Sequence, residues 1–434
     1  MQFFRHTSKA RKPKSVVVGL DGVPYTLIQN LRKAGRIRHM NNLFNKGYFG
    51  QMSVCIPEIS SVSWSSFMTG TQAAEHGIFG FIDLKPYSYS MYFPNYQHVQ
   101  VPALWDNLGK KGKRSVVINV PATYPAKNIN GVLISGFVAI DINKAVTPPS
   151  TIPRLNDMGY RIDVDTLKGR KDSDFLFHDL NVTLQGRKAA VDYFWDEVDW
   201  DFLMVVITGT DRLMHFLWQA YEEENHPYHN DFINYFENVD AFVGHVFNRF
   251  ESLPNSSDNV FYMLSDHGFT KLETEVYLNR WLENEGYLKF KTQEPTSVMD
   301  IGPGSTAFAL DPSRVYLNLQ EKFPLGTLAA GDYDRVRNEI KSGLESMTLQ
   351  DEPIVKRVYF KEELFSGPLM DQAPDLVVLS RHGYDLKGRI GSHEVFGPSE
   401  LQGMHTQDDA FFHSSSNIPC KNIFEAKSII EASL

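Results

Sequence analysis

Ser15-Val16-Val17-Val18-Gly19-Leu20-Asp21-Gly22 is the stretch on which the reading of this chain turns. A short β-branched run closed by a carboxylate and a glycine reads as a buried parallel strand that ends in a loop. Ser115–Val120, Phe202–Ile207 and Val260–Leu264 have the same form. Between and after them, Val101–Lys111, Val182–Glu197, Phe232–Phe250 and Val276–Glu285 alternate apolar and charged positions with helical spacing. Strands and helices taking turns in this way predict an α/β fold, a doubly wound, mostly parallel sheet with helices on both faces. In such sheets ligands bind beyond the carboxyl ends of the strands, so the residues directly after each strand matter most.

The remaining composition narrows the function. With 434 residues, 42% of them hydrophobic, the chain can bury one large core and carry a second lobe. A net charge of -9 supplies no basic field, so no nucleic-acid polymer is expected as a partner. Cys55 and Cys420 are the only cysteines, too few for a disulfide framework or a thiolate metal site. Any metal must therefore be held by His and carboxylate groups. No apolar run approaches the roughly 18 residues of a membrane span, and no signal-peptide core comes after the basic start of the chain, so the expected compartment is the cytoplasm.

Four segments are expected: a flexible basic tail over 1–14, the first part of a catalytic core over 15–285, an inserted cap or lid with some core elements over 286–397, and the last part of the core over 398–434. The cap is suggested by Pro295, Gly302, Pro303, Gly304, Pro324 and Gly326 around a helix at Tyr333–Ser346. A Tyr-, Pro- and Phe-rich stretch, Asp83–Gln100, reads as a long surface excursion whose rings pack onto the core.

Three strand ends carry hard ligands. Asp21 comes directly after the first strand, Thr210-Asp211 with His215 after the third, and Ser265-Asp266-His267-Gly268 after the fourth. Asp211 and His215, four residues apart, share one face of a helical turn and can reach a single ion. Taken singly, Asp-Gly is commonly a turn and Asp-x-x-x-His commonly a surface pair; their combination at one rim of a sheet is the signal.

Together with Pro57-Glu58-Ile59-Ser60-Ser61-Val62-Ser63-Trp64-Ser65-Ser66-Phe67-Met68-Thr69-Gly70, Glu75-His76-Gly77-Ile78 and Gly403-Met404-His405, these motifs resemble the type I phosphodiesterase and nucleotide pyrophosphatase branch of the alkaline phosphatase superfamily. The resemblance implies two metal sites, one of Asp211, His215 and His405 and one of Asp21, Asp266 and His267. It also implies a nucleophile ten residues before Gly70, which is Ser60, in contact with the metals. Ser61 and Ser63 are the alternatives in a shifted register. Where nucleotide-cleaving members place an Asn that holds a phosphate oxygen, this chain has Ser63, assigned here to substrate binding.

Chemistry agrees with Ser60. A Ser opening the helix Ser60–Thr69 sits at the positive end of its dipole, although the same position suits a simple helix cap. The expected reaction is hydrolysis of a phosphate ester, most simply a diester or a nucleotide-like small molecule, through a phosphoserine intermediate at two divalent ions roughly 3.5–4 Å apart. His and Asp donors favour zinc, with manganese the alternative. A phosphomonoesterase, a phosphoglycerate mutase-like phosphoryl transferase and a non-catalytic binding module on the same fold are the competing readings. Formylglycine sulfatase chemistry is not expected, because Cys55-Ile56-Pro57-Glu58-Ile59 lacks the required Arg. His76 is expected to be structural, Arg212 to reach either phosphate or an ion pair, Phe216 and Trp218 to lie in the core, and Asp408 and Asp409 to orient metal-bound imidazoles.

Overall fold

The computed structural model describes residues 12–254 and 258–434, so residues 1–11 of the expected basic tail lie outside the described residues. Its centre is an eight-stranded sheet. From edge to edge the strands are Tyr48–Met52, Ala410–Ser414, Val260–Leu264, Ser15–Leu20, Phe202–Ile207, Ser115–Val120, Gly131–Ser135 and Val146–Thr147. The five from Val260–Leu264 to Gly131–Ser135 run parallel, and antiparallel pairings finish both sides. The four strands expected from sequence have the residues assigned to them and form the middle of this sheet.

Every residue of Ser15–Leu20 is buried, and its side chains alternate between two cores. Val16, Val18 and Leu20 join one apolar cluster and Val17 joins the other. The first is closed by Tyr25–Lys33, Arg38–Phe44, Ser173–Glu197, Gly209–Glu222 and His229–Glu251, the second by Ser60–Thr69, Leu104–Lys110 and Ile423–Ala432. Helices on both faces make the fold doubly wound, as the sequence predicts. Gly19 permits a close contact on the second face, since a Cβ there would stand 2.6 Å from the Trp64 ring.

A second lobe is built on a four-stranded antiparallel sheet, in the order Ala307–Leu310, Arg314–Leu317, Leu376–Ser380, Val355–Phe360. Its core takes in Val336, Ile340 and Leu344 from the helix Tyr333–Glu345, and also Leu278, Trp281 and Leu282 from Leu278–Asn284. The helix expected over Val276–Glu285 is thus shorter. Thr274–Tyr277 is a strand paired with Tyr384–Lys387, where β-branched Thr274 and Val276 fit better than on a helix. The aromatic excursion is divided: Tyr96 joins the core of the central sheet, Tyr87 and Phe93 are exposed rather than packed, and Tyr89 belongs to this lobe. Tyr89 stacks on Phe323 at 5.4 Å and donates to Asn318 Oδ1 at 2.7 Å, and buried Asp83 pairs with fully buried Arg314.

Candidate active site

Asp21, Ser60, Asp211, His215, Asp266, His267 and His405 come together at the carboxyl edge of the central strands. Asp21 leaves the first strand on a turn that Gly22 completes in the left-handed region, φ 72°, which lets the Gly22 N–H donate to Asp266 Oδ1 at 3.0 Å. Asp211 and His215 occupy the start of Gly209–Glu222, which is interrupted at Leu217. Thr210 Oγ1 ties that start to the main-chain carbonyl of Asp21 at 2.6 Å. His405 arrives on a separate two-stranded ribbon, Gly403–Thr406 against Gly268–Lys271.

Ser60 is the first residue of the helix Ser60–Thr69, and the capping position is Ile59, so the hydroxyl does not cap the helix. Ser60 Oγ donates to Asp21 Oδ1 at 3.2 Å and lies 3.2 Å from His267 Nε2. Trp64, one turn on, reaches Asp21 Oδ2 with its Nε1 at 3.4 Å. Ser63 is not brought to this cluster: it is fully buried and its hydroxyl lies 3.0 Å from Cys55 Sγ.

The three imidazoles share one arrangement. Nδ1 of His215, His267 and His405 faces the main-chain carbonyls of Gly403, Gly268 and Glu58 at 2.9, 3.0 and 2.8 Å. A carbonyl only accepts, so each Nδ1 carries the proton and each Nε2 presents a lone pair. All three Nε2 atoms lie within 3.2–3.9 Å of Asp211 Oδ1. Two groups of donor atoms are close enough to hold an ion: Asp211, His215 and His405, and Asp21, Asp211 and His267. Asp266 adjoins the second, its Oδ2 3.5 Å from His267 Nε2, and this fully buried oxygen has no hydrogen-bond partner. An orphaned carboxylate oxygen among inward-facing imidazole lone pairs is a donor set that fits divalent cations.

The electrostatics carry the same sign. Burial and the Asp21 charge push the Asp266 carboxyl well above the usual range. Burial also acts on Asp211, but His215, His405 and Arg212 outweigh it and hold that carboxyl far below the usual range. Burial opposes a charge on His267, yet Asp266, Asp21 and Asp211 draw its pKa up to about 10, so its Nε2 also takes a proton until a cation displaces it. The same negative field would attract a metal ion. Burial lowers His215 to about 3, which keeps it a neutral ligand.

Arg212 takes the ion-pair role. Its Nη1 holds Asp211 Oδ2 at 2.9 Å while Nε and Nη2 grip Asp163 Oδ2 at 3.2 and 2.9 Å. Sequence reasoning misses Asp163, since Arg161-Ile162-Asp163-Val164-Asp165 has no motif around it. Asp408 and Asp409 do not orient the imidazoles. Asp408 pairs with Lys356 at 2.9 Å, Asp409 accepts from the Thr26 amide at 3.2 Å, and main-chain carbonyls do the orienting instead. His76 is buried at neutral charge, with Nε2 3.1 Å from Ser66 Oγ on the helix Ser60–Thr69 and Nδ1 accepting from the Ile78 amide.

Beside His215 and His405 lies a cleft of about 320 Å³. Glu58 and Ile59 from the core line one side, Ser313, Ser380 and Lys387 from the second lobe the other. Among the described residues no helix is long and apolar enough to cross a membrane.

Comparison with known proteins agrees with this fold. A phosphonoacetate hydrolase from Sinorhizobium meliloti 1021, solved with phosphonoacetate, superposes with a TM-score of 0.67 at 15% identity, covering 97% of this chain and 96% of that one. Murine ectonucleotide pyrophosphatase / phosphodiesterase 5 gives 0.57 at 14% identity over 96% and 94%. The alkaline phosphatase PafA gives 0.62 at 15% over 98% and 96%. No curated protein matches the chain by sequence. The family model for type I phosphodiesterase / nucleotide pyrophosphatase matches residues 15–408, from the strand before Asp21 to beyond His405, and the chain belongs to that family.

Proposed function

We propose that the protein is a two-metal phosphodiesterase that passes the phosphoryl group of a small diester or nucleotide-like substrate first to Ser60 and then to water. The observation that carries this reading is the position of the Ser60 hydroxyl, 3.2 Å from both Asp21 and His267, inside a ring of inward-facing ligand atoms. Asp211, His215 and His405 would hold one ion and Asp21, Asp266, His267 and Ser60 the other. Two such ions, zinc by donor type with manganese the alternative, would supply Lewis acidity to the phosphoryl oxygens and ease ionisation of the hydroxyl.

The protein's own part derives from the fold. Ser60 Oγ attacks phosphorus, its proton leaving along the hydrogen bond to Asp21, and the bond to the departing alkoxide breaks on the opposite side. The Ser60 and Ser61 amides, which precede the Val62 and Ser63 amides already bonded to the Ile59 carbonyl, receive a nonbridging oxygen. Water then attacks the same phosphorus and restores Ser60, so two inversions give net retention. Residues 286–397 act as a cap whose Ser313, Ser380 and Lys387 meet the leaving group in the cleft beside His405. AMP bound to the murine family relative is in keeping with a nucleotide-like substrate. Both cysteines are free and buried, which suits a reducing compartment, and we place the protein in the cytoplasm.

The test is turnover of bis-p-nitrophenyl phosphate, p-nitrophenyl phosphate and a p-nitrophenyl nucleotide ester by metal-loaded protein and by Ser60→Ala. Diester turnover lost in the variant is expected. Preference for the monoester, or a variant as fast as wild type, would overturn the reading.

A further inference from the structure

The second lobe contains a cavity of about 590 Å³ that shares no lining residue with the cleft beside His405. That volume falls within the roughly 300–1,000 Å³ of small-molecule sites. Lys322 lines it, half-buried, and its ammonium makes no hydrogen bond or ion pair with any described residue. Its ammonium instead faces the rings of Phe323 and Tyr316, whose centroids lie 5.7 and 5.8 Å from Nζ. Lys361 on the same wall is satisfied, its Nζ 2.9 Å from Asp375 Oδ1. Burial lowers the Lys322 pKa, outweighing the more distant charges of Asp375 and Asp371, neither of which pairs with its ammonium.

Tyr87, from the aromatic excursion, also lines the cavity. It is 74% exposed and held at φ 56°, a conformation uncommon for a residue with a side chain and one that collects at ligand sites. The acids on the lining, Glu321 and Asp371, are exposed and leave Lys322 unpaired.

We propose that this cavity is a second binding site, for a small organic anion whose phosphate or carboxylate group pairs with Lys322 and whose flat body lies against Tyr87, Tyr316 and Phe323. The site is separate from the metal cluster, and its occupancy does not depend on which reaction that cluster performs.

Calorimetric titration of the full chain with phenylphosphonate, which cannot be hydrolysed, and with benzoate tests this. Saturable binding at millimolar probe is expected, weakened roughly tenfold or more by Lys322→Gln and retained by Lys322→Arg. Tyr87→Ala, at an exposed position that folding does not depend on, is expected to weaken it severalfold. A stronger response to the phosphonate assigns phosphate esters, a stronger response to benzoate assigns carboxylates, and either supports the site. Binding unchanged in Lys322→Gln would locate the probe elsewhere and overturn the proposal, as would no binding of either probe.

Discussion

His215 and His405 meet Nε2 to Nε2 at 2.9 Å, while each carries its proton on the far nitrogen, held by a main-chain carbonyl. Two lone pairs directed at each other repel unless a cation lies between them. Zinc titration of chelated protein is therefore expected to show two equivalents bound and a raised thermal midpoint, and His405→Gln to lose one of them. A single equivalent in wild type would remove one of the two sites.

Arg212 couples the cluster to Asp163. Arg212→Lys keeps the charge but cannot hold Asp211 and Asp163 with one planar fork. Metal affinity is expected to fall by roughly 10- to 100-fold, the usual effect of losing a group that positions a ligand. Zinc competition against a fluorescent chelator measures it, and an unchanged affinity would leave the Arg212 bridge without a role in metal binding.

Ser60→Ala is expected to keep both zinc equivalents through the carboxylate and imidazole ligands, with the ion beside Asp21 held more weakly, while turnover drops by a factor on the order of a million, the scale seen when a nucleophile is removed. Ser61→Ala serves as the register control and should retain turnover. If Ser61→Ala is the inactive variant, the helix delivers the neighbouring hydroxyl instead.

Gly19→Ala pushes a methyl group into the Trp64 ring, whose Nε1 hydrogen-bonds Asp21. Overpacking of this kind costs about 1–3 kcal/mol, read as a lower urea midpoint at unchanged slope. Loss of zinc affinity in the same variant would report that the Trp64 ring sets the position of Asp21.

His76 gives a pH dependence of defined sign. Burial lowers its pKa to about 3, below the value near 6.5 of the unfolded chain, so only the unfolded state takes up a proton between these limits. Its contribution is constant above pH 6.5 and is lost as pH falls, at up to about 1.4 kcal/mol per pH unit. His413, lowered by burial to about 4, remains in both proteins, so the difference between wild type and His76→Asn isolates His76. Equal slopes from pH 6.5 to 4.5 would contradict a neutral buried His76.

The centre of the molecule is legible in the sequence because its central strands are buried on both faces and their apolar runs are continuous. Peripheral strands give weaker signals. Tyr48–Met52 is only partly covered and mixes Gly and Gln with aromatic residues, and Val146–Thr147 is two residues long. The second-lobe sheet reads as irregular from sequence because its short strands are interrupted by turns and one long helix. In the site, Asp21, Asp266 and His267 stand directly after strands, and Asp211 and His215 open the helix after another, so these candidate ligands can be found. Their positioning partners cannot, since the carbonyls of Glu58, Gly268 and Gly403 have no side-chain signature and Asp163 stands 49 residues from Arg212.

The ribbon that carries His405 has a kinetic consequence. Asp21, Asp211, Asp266 and His267 are anchored by strands in the middle of an eight-stranded sheet, where main-chain amides exchange with solvent only on global unfolding. Gly403–Thr406 pairs with a single four-residue partner, and an isolated two-stranded ribbon is marginally stable. Local opening of this ribbon is therefore expected to carry His405 away sooner than the rest of the cluster, and an ion held by it with Asp211 and His215 would exchange first.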